Sequence, residues 1–303
     1  MDAEGPAPDW VALSVPTSAQ LLGVWGRTST EAYAVGWDGT ALRWDGARWA
    51  EETTTATVPL TDVGGAPEGG PVFAVGWDGT ILARDPTTAT WGPASRTATT
   101  SRDLFGVHLV APDDGLLVGD AGAVLGWDGG AWSPVDFAVE SELSGELVRP
   151  RTALAGVWSA DGRRWIMTGA GGQSFRSRNG VARFESLDTR ESIPLRGVWG
   201  PDPGTTYTVG LEGIVLRLTN RWRRDGADLP DAFLFGIWGR SEDDITAVGW
   251  QGTLLRRFEG TWRPETAERE VDLRDVWVDD ETGRAFAVGA RGTILTRTPT
   301  AAP

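Results

Sequence analysis

Seven times, with substitutions, the chain writes Leu-x-Gly-Val-Trp, then Ala-Val-Gly-x-x-Gly-Thr, an apolar pair and an outer aromatic, at a period of roughly forty residues. A fixed period of this length constrains the fold before composition is considered. Each repeat must be one supersecondary unit that buries its faces against its neighbours. The first anchor is an apolar pair three residues apart: Leu21/Val24, Leu60/Val63, Leu104/Val107, Leu154/Val157, Leu195/Val198, Leu234/Ile237 and Leu273/Val276. Two glycines follow, also three apart: Gly36/Gly39, Gly76/Gly79, Gly119/Gly122, Gly169/Gly172, Gly210/Gly213, Gly249/Gly252 and Gly289/Gly292. The outer aromatic is Trp49, Trp91, Trp132, Phe184, Trp222 and Trp262, and the seventh repeat has none.

Trp10 supplies the missing one. It stands eleven residues before Leu21, the spacing that also separates Trp49 from Leu60, Phe184 from Leu195 and Trp262 from Leu273. The segment Asp9-Trp10-Val11-Ala12-Leu13 therefore reads as an orphan outer strand that pairs with the last repeat and closes a ring. A linear array would instead need two capping repeats, and the sequence shows none.

Within each repeat the apolar residues form short runs of period near two, bounded by Gly and Asp. In the first repeat these are the Leu-x-Gly-Val-Trp run, 32–36, 40–44 and 47–50. The Gly-Trp-Asp-Gly between the second and third runs fits a two-residue hairpin with glycine at positive φ. Asp45-Gly46 and Asp128-Gly129 give the same turn signal between the third and fourth. The fold class is all-β: a seven-bladed β-propeller with four antiparallel strands per blade, the N-terminal strand completing the last blade. The expected organisation is a tether over 1–8, a single domain over 9–298 and a tail over 299–303. The blades fall near 21–55, 60–96, 104–140, 154–190, 195–228, 234–268 and 273–298 plus 9–16. Seventeen Trp against two Met and no Cys point to large, stiff wedges between blades. Each fully buried Trp removes about 150–250 Å² from water, worth at most about 4–6 kcal/mol.

These blades resemble the propellers of photosystem II assembly factors and of sortilin-type or Asp-box repeats, which run Ala-Val-Gly-x-x-Gly-x-Ile-Leu and end in Gly-x-x-Trp. The resemblance spans residues 9–298. The Val-Trp-Gly-rich form is also similar to propellers of bacterial envelope proteins. Two departures stand out: Asp45/Trp49 and Asp128/Trp132 are spaced one residue shorter than an Asp-box, and most blades lack that aspartate. The resemblance implies the fold, and the expected location is extracytoplasmic, secreted or envelope-anchored. The opening Met1-Asp2-Ala3-Glu4-Gly5-Pro6 is no signal peptide and reads as a mature N-terminus.

A net charge of −14 argues against nucleic acid or an anionic membrane as partner. No apolar run is long enough for a membrane span. The absence of Cys removes disulfides and thiolate metal sites. The single histidine, His108, occupies the slot filled by Trp25, Trp158, Trp199, Trp238 and Trp277 in other blades. It reads as a packing residue, with a ligand or base as the alternative, so a Ser-His-Asp triad or multi-His metal site has little to rest on. No carboxylate pair stands out for hydrolysis, and no matched set of arginines is evident for the axis. The expectation is a non-enzymatic chain without cofactor or metal, acting as a monomer.

Binding residues are sought where the repeat varies. Antiparallel topology puts the Gly-x-x-Gly hairpins and the blade-to-blade links at one end, here the top. The first hairpin position reads Trp37, Trp77, Asp120, Ala170, Leu211, Trp250 and Ala290, so the turn does not demand Trp. Trp37, Trp77 and Trp250, beside Asp38, Asp78 and Gln251, offer stacking surface and hydrogen-bonding groups; Arg291 stands in the intervening blade. The rings could equally fold back onto a neighbouring blade. One link, from Trp132 to Leu154, is about twice the usual length and alternates apolar and polar residues. It is expected to form a strand or a lid over the top, with Phe137, Glu140 and Glu142 as candidates. At the bottom, acidic loops around Asp113-Asp114, Glu242-Asp243-Asp244 and Asp279-Asp280-Glu281 could hold a basic partner or calcium, or be solvated. The function expected is presentation of the top loops to a protein or peptide partner. The alternatives are a glycan-binding lectin using the hairpin Trp residues and, more distantly, a hydrolase or lyase on the same face.

Overall fold

The computed structural model describes residues 9–94, 100–140, 145–178, 180–181, 183–226 and 229–297. The tether expected over 1–8 and the tail over 299–303 lie outside them. Seven blades of four antiparallel strands are arranged so that each innermost strand packs on the next. These inner strands are Leu21–Thr28, Leu60–Gly65, Leu104–Ala111, Leu154–Trp158, Leu195–Asp202, Leu234–Ser241 and Leu273–Val278. The seventh sheet takes its outer strand from the N-terminal segment, with Val11 opposite Thr296 and Ala12 opposite Leu295. The ring closes as the spacing of Trp10 predicts. Trp10 is fully buried, like Trp91 and Trp132 in the equivalent slot.

The Val-Trp-Gly run has a steric cause. A Cβ on Gly26 would lie 2.6 Å from the Trp277 ring, and one on Gly65 would lie 2.7 Å from the Trp25 ring. Each indole thus fills the space left by the glycine of the following blade, which lets stiff aromatics act as wedges at close-packed density.

The top hairpins are three residues long, one more than the two-residue turn expected. Thr40 N–H donates to the Trp37 carbonyl at 3.0 Å, and Gly36 N–H to the Thr40 carbonyl at 3.0 Å. Asp38 (φ 56°) and Gly39 (φ 69°) are the two left-handed residues of a type I′ turn. Trp37 is the extra residue; its N–H donates to the Gln20 carbonyl at 2.9 Å and its ring is left exposed. The first glycine of the pair is needed for another reason, since a Cβ on Gly36 would sit 2.1 Å from the Gln20 carbonyl oxygen.

The turn after Trp44 also differs from the two-residue expectation. Trp44 pairs with Trp49, leaving a four-residue loop, because Asp45 Oδ1 accepts the Ala47 and Arg48 N–H groups at 2.9 Å each. Asp128 repeats the arrangement with Gly130 and Ala131.

Blade-to-blade links double as strand edges. Thr53–Thr54 runs parallel to the outer strand Thr90–Pro93 of the next blade, and the long link does likewise. Val139–Glu140 lies parallel to the outer strand Arg183–Leu187 of blade four and pairs with Leu147–Val148, making a six-stranded sheet. The alternation in this link does encode strand. Its place is the outer rim of blade four, where it is not a lid over the top.

Among the described residues, three links also begin with a carboxylate clamp. Glu52 Oε2 accepts the Trp91 indole N–H at 2.9 Å, and Glu52 pairs with Arg84 at 2.6 Å. Asp225 does the same for Trp262 (2.8 Å) and Arg257 (3.0 Å). Glu265 does so for Trp10 (2.8 Å) and Arg297 (3.0 Å). A buried indole and guanidinium from one blade are thereby satisfied by an acid from the blade before. Where the equivalent link position is Leu13 or Ala94, the indole nitrogens of Trp49 and Trp132 have no hydrogen-bond partner among the described residues.

Candidate binding faces

Of the residues expected to form a top-face site, the structure brings two rings together. Trp37 and Trp77 are 42% and 40% exposed, with centroids 5.7 Å apart and planes at 62°. They meet because both occupy the bulge position of adjacent hairpins. Asp38 and Asp78 follow them at positive φ, both exposed. The Asp78 N–H donates to Asp103 Oδ1 at 2.9 Å, which fixes that turn to the following link. Trp250 is exposed to a similar degree but stands apart from the pair. Its ring rests edge-on against Phe233 at 4.2 Å, with Phe235 at 6.1 Å. Gln251 N–H donates to Asp272 Oδ1 at 3.0 Å. Arg291 is exposed at the left-handed position of the blade-seven turn.

The insertion contributes less than expected. Phe137 is buried between Phe175 (5.0 Å) and Phe184 (5.1 Å), a core residue of blade four with no surface to offer a ligand. Glu140 is exposed on the rim strand, and Glu142 lies outside the described residues.

Part of the acidic bottom is engaged by its own turns and arginines, while burial and neighbouring carboxylates raise Asp114 and Asp280. Asp202 Oδ1 accepts from Gly204 and Thr205 N–H, and Asp161 Oδ1 from Arg163 and Arg164 N–H. Glu242 pairs with Arg217 at 2.6 Å. Asp244 pairs with Arg240 at 2.5 Å and Arg256 at 3.0 Å, and these arginines hold its carboxyl below the usual range against the effect of burial. Among the described residues no three His, Asp or Glu side chains converge as a metal site, and no helix is long and apolar enough to cross a membrane.

Among the described residues, two cavities are found on the axis. The upper one, about 250 Å³, is lined by the first residues of the inner strands. The lower one, about 520 Å³, opens among the bottom loops. Trp25, His108 and Trp238 border both and form the partition between them. His108 belongs to that partition. Its Nε2 lies 2.8 Å from the Ser159 carbonyl, so the neutral ring donates there, and Trp165 and Trp238 stand 6.0 and 6.4 Å away. Loss of water around the imidazole pushes its pKa down to about 4. It is a packing residue in a Trp slot.

The upper cavity holds four charged residues that sequence reading passed over. Asp62 and Asp275 replace the glycine of Leu-x-Gly-Val in blades two and seven. Asp62 accepts the N–H of Val63 and, from the next blade, of Val107, both at 2.8 Å. Asp275 accepts those of Val276 (2.8 Å) and Val24 (2.9 Å), the latter across the closure between blades seven and one. Loss of solvation raises both carboxyls, Asp275 to about 7. Arg196 and Arg274 occupy the position after the anchor leucine in blades five and seven, so two axial arginines are in fact matched by repeat register. That shared register was the available signal.

The sequence matches no family model and no curated protein. Among solved structures it is similar to YCF48 from Cyanidioschyzon merolae, with a TM-score of 0.75 and 15% identity over 97% of this chain and 99% of that one. A structure of YCF48 bound to D1 peptide gives 0.74 and 15%, over 98% and 97%. The WD40 beta propeller domain of Doa1 gives 0.73 and 14%, over 94% of each chain. At these identities the likeness establishes architecture, and it agrees with the resemblance read from the repeats: the chain is a seven-bladed β-propeller.

Proposed function

We propose that the protein is a non-enzymatic binding propeller that offers its top loop face to a protein or peptide partner. The observation that carries this is the Trp37–Trp77 pair, two indoles about 40% exposed on adjacent rigid turns. Other blades place Asp120, Ala170, Leu211 or Ala290 at the same position, so the turn has no need of Trp. Exposed aromatic anchors on a rigid frame are what peptide and protein recognition uses, because little entropy is lost when they are covered. Asp38 and Asp78 set carboxylates beside the rings. One similar propeller is YCF48 bound to D1 peptide, which supports a peptide-holding role for the architecture. Work outside the cytoplasm, as a monomer, belongs to the same proposal.

The test is selection of a displayed random-peptide library on the wild type and on Trp37→Ala/Trp77→Ala, beside a glycan array of both. Peptides enriched by the wild type and lost by the double variant are expected. A saccharide hit lost in the double variant, with no peptide enriched, would replace this reading with a lectin built on the same rings.

A further inference from the structure

Two positive charges remain in the upper axial cavity after the other charges there are accounted for. The carboxylates of Asp62 and Asp275 each accept two backbone N–H groups and tie neighbouring blades together. Arg196 has no comparable partner: among the described residues its side chain makes no ion pair or hydrogen bond, although it is exposed at the cavity mouth. Partial withdrawal from water, and then the like charge of Arg274, hold its pKa below the usual value. Arg274 is scarcely better served. Among the described residues its nearest carboxylate oxygen, on Asp272, is 4.0 Å away and its buried Nε has no partner; its guanidinium stacks on the Phe235 ring at 4.5 Å.

Neither arginine is required by the fold, since the same strand position holds Leu22, Thr61, Phe105, Ala155 and Phe235 in the other blades. A chain with 42 acidic residues against 28 basic ones has carboxylates to spare, yet this pair is left almost without them. Two neighbouring guanidiniums repel one another, and an orphaned buried N–H is costly. An anion placed between them would relieve both. The walls beside them, Leu22, Phe105, Ala155 and Phe235, are apolar.

We infer that the upper axial cavity binds a small organic carboxylate with an apolar body, its carboxylate held between Arg196 and Arg274 and its body against Phe105 and Phe235. Arginine suits this ligand because its planar fork matches a carboxylate bidentately. A volume of about 250 Å³ falls just below the range of about 300–1,000 Å³ typical of drug-sized ligands, so a compact body of one ring fits. The site is independent of the Trp37–Trp77 face.

Titration calorimetry with benzoate, benzamide and inorganic phosphate tests it. Benzoate should bind with one-to-one stoichiometry. Benzamide, which has the same shape without the charge, should bind at least tenfold more weakly. Arg196→Gln alters a solvent-exposed residue and should keep the wild-type melting temperature while weakening benzoate at least tenfold. Trp37→Ala/Trp77→Ala should leave benzoate binding unchanged. No heat with millimolar benzoate, equal binding of benzamide, indifference to Arg196→Gln, or phosphate bound in preference to benzoate would each overturn the assignment.

Discussion

The indole N–H of Trp10 donates to Glu265 Oε2 at 2.8 Å, joining residues 255 positions apart in sequence across the seam of the ring. The Arg297 guanidinium lies 5.2 Å from the centroid of the same Trp10 ring and pairs with the same carboxylate. On either side, Trp10 N–H donates to the Thr266 carbonyl at 3.0 Å and Glu268 N–H to the Trp10 carbonyl at 2.9 Å. The N-terminal strand is therefore held from both of its neighbours, blade seven by sheet pairing and blade six by this clamp.

Removing the acid should open that seam. Glu265→Ala leaves Arg297, which is 8% exposed, with a weakened set of partners, and breaking a buried pair costs about 3–5 kcal/mol. Denaturant unfolding should show a loss of that order, and a smaller one for Glu265→Gln, which can still accept from Trp10. A loss within experimental error for Glu265→Ala would mean that the closure does not depend on the clamp.

The wedge-and-glycine packing predicts a specific coupling. Gly26→Ala places a methyl 2.6 Å from the Trp277 ring and should destabilise by about 1–3 kcal/mol through overpacking. Trp277→Phe shortens that ring, so the double variant should be more stable than the sum of the two single changes. Additive effects in the double-mutant cycle would contradict the contact.

Two sheltered groups tilt stability with pH in opposite senses. His108 is depressed to about 4, while an unfolded imidazole titrates near 6.5. Its contribution is full above about pH 6.5 and is lost as pH falls toward 4. Asp275 is raised to about 7, so its contribution is full below about pH 4 and is lost as pH rises through 7. Urea unfolding at pH 5 and pH 8 separates them. His108→Gln should compare better with the wild type at pH 5 than at pH 8. Asp275→Asn should compare better at pH 8 than at pH 5, by at most about 3 kcal/mol, since only about two units at 1.36 kcal/mol each lie between pH 5 and its raised pKa.

The two classes of Trp should part cleanly on truncation. Trp199→Ala, at 5% exposure, empties a wedge and should cost about 3–5 kcal/mol. Trp37→Ala removes a ring that is 42% exposed and should cost less than about 1.5 kcal/mol. Thermal melts of the two variants check this. Similar losses would show that the top rings are structural.

The architecture was legible because its determinants recur in register. Gly36 and Gly39 are imposed by backbone contact and handedness in every blade, and Trp10 keeps the outer-strand spacing even though the chain separates it from its sheet. The clamp acids Glu52, Asp225 and Glu265 were not legible, since they sit in links of unequal length where no register points to them. The alternating pattern of 135–143 correctly signals a strand, but its parallel partner, Arg183–Leu187, lies in the following blade and nothing local identifies it. That pairing is why Phe137 is buried. Arg196 and Arg274 could have been found by aligning the position after each anchor leucine. Their shared cavity, and their lack of close carboxylate partners, arise only when blades five, six and seven meet at the axis.

The most direct test of the binding account is titration of the strongest peptide from the displayed library against four proteins. These are the wild type, Trp37→Ala, Trp37→Ala/Trp77→Ala and Trp250→Ala. The account predicts that affinity falls at least tenfold in the double variant, falls less in Trp37→Ala and is nearly unchanged in Trp250→Ala, whose ring is packed on Phe233. A peptide that binds all four alike, or a library that yields none, would contradict it.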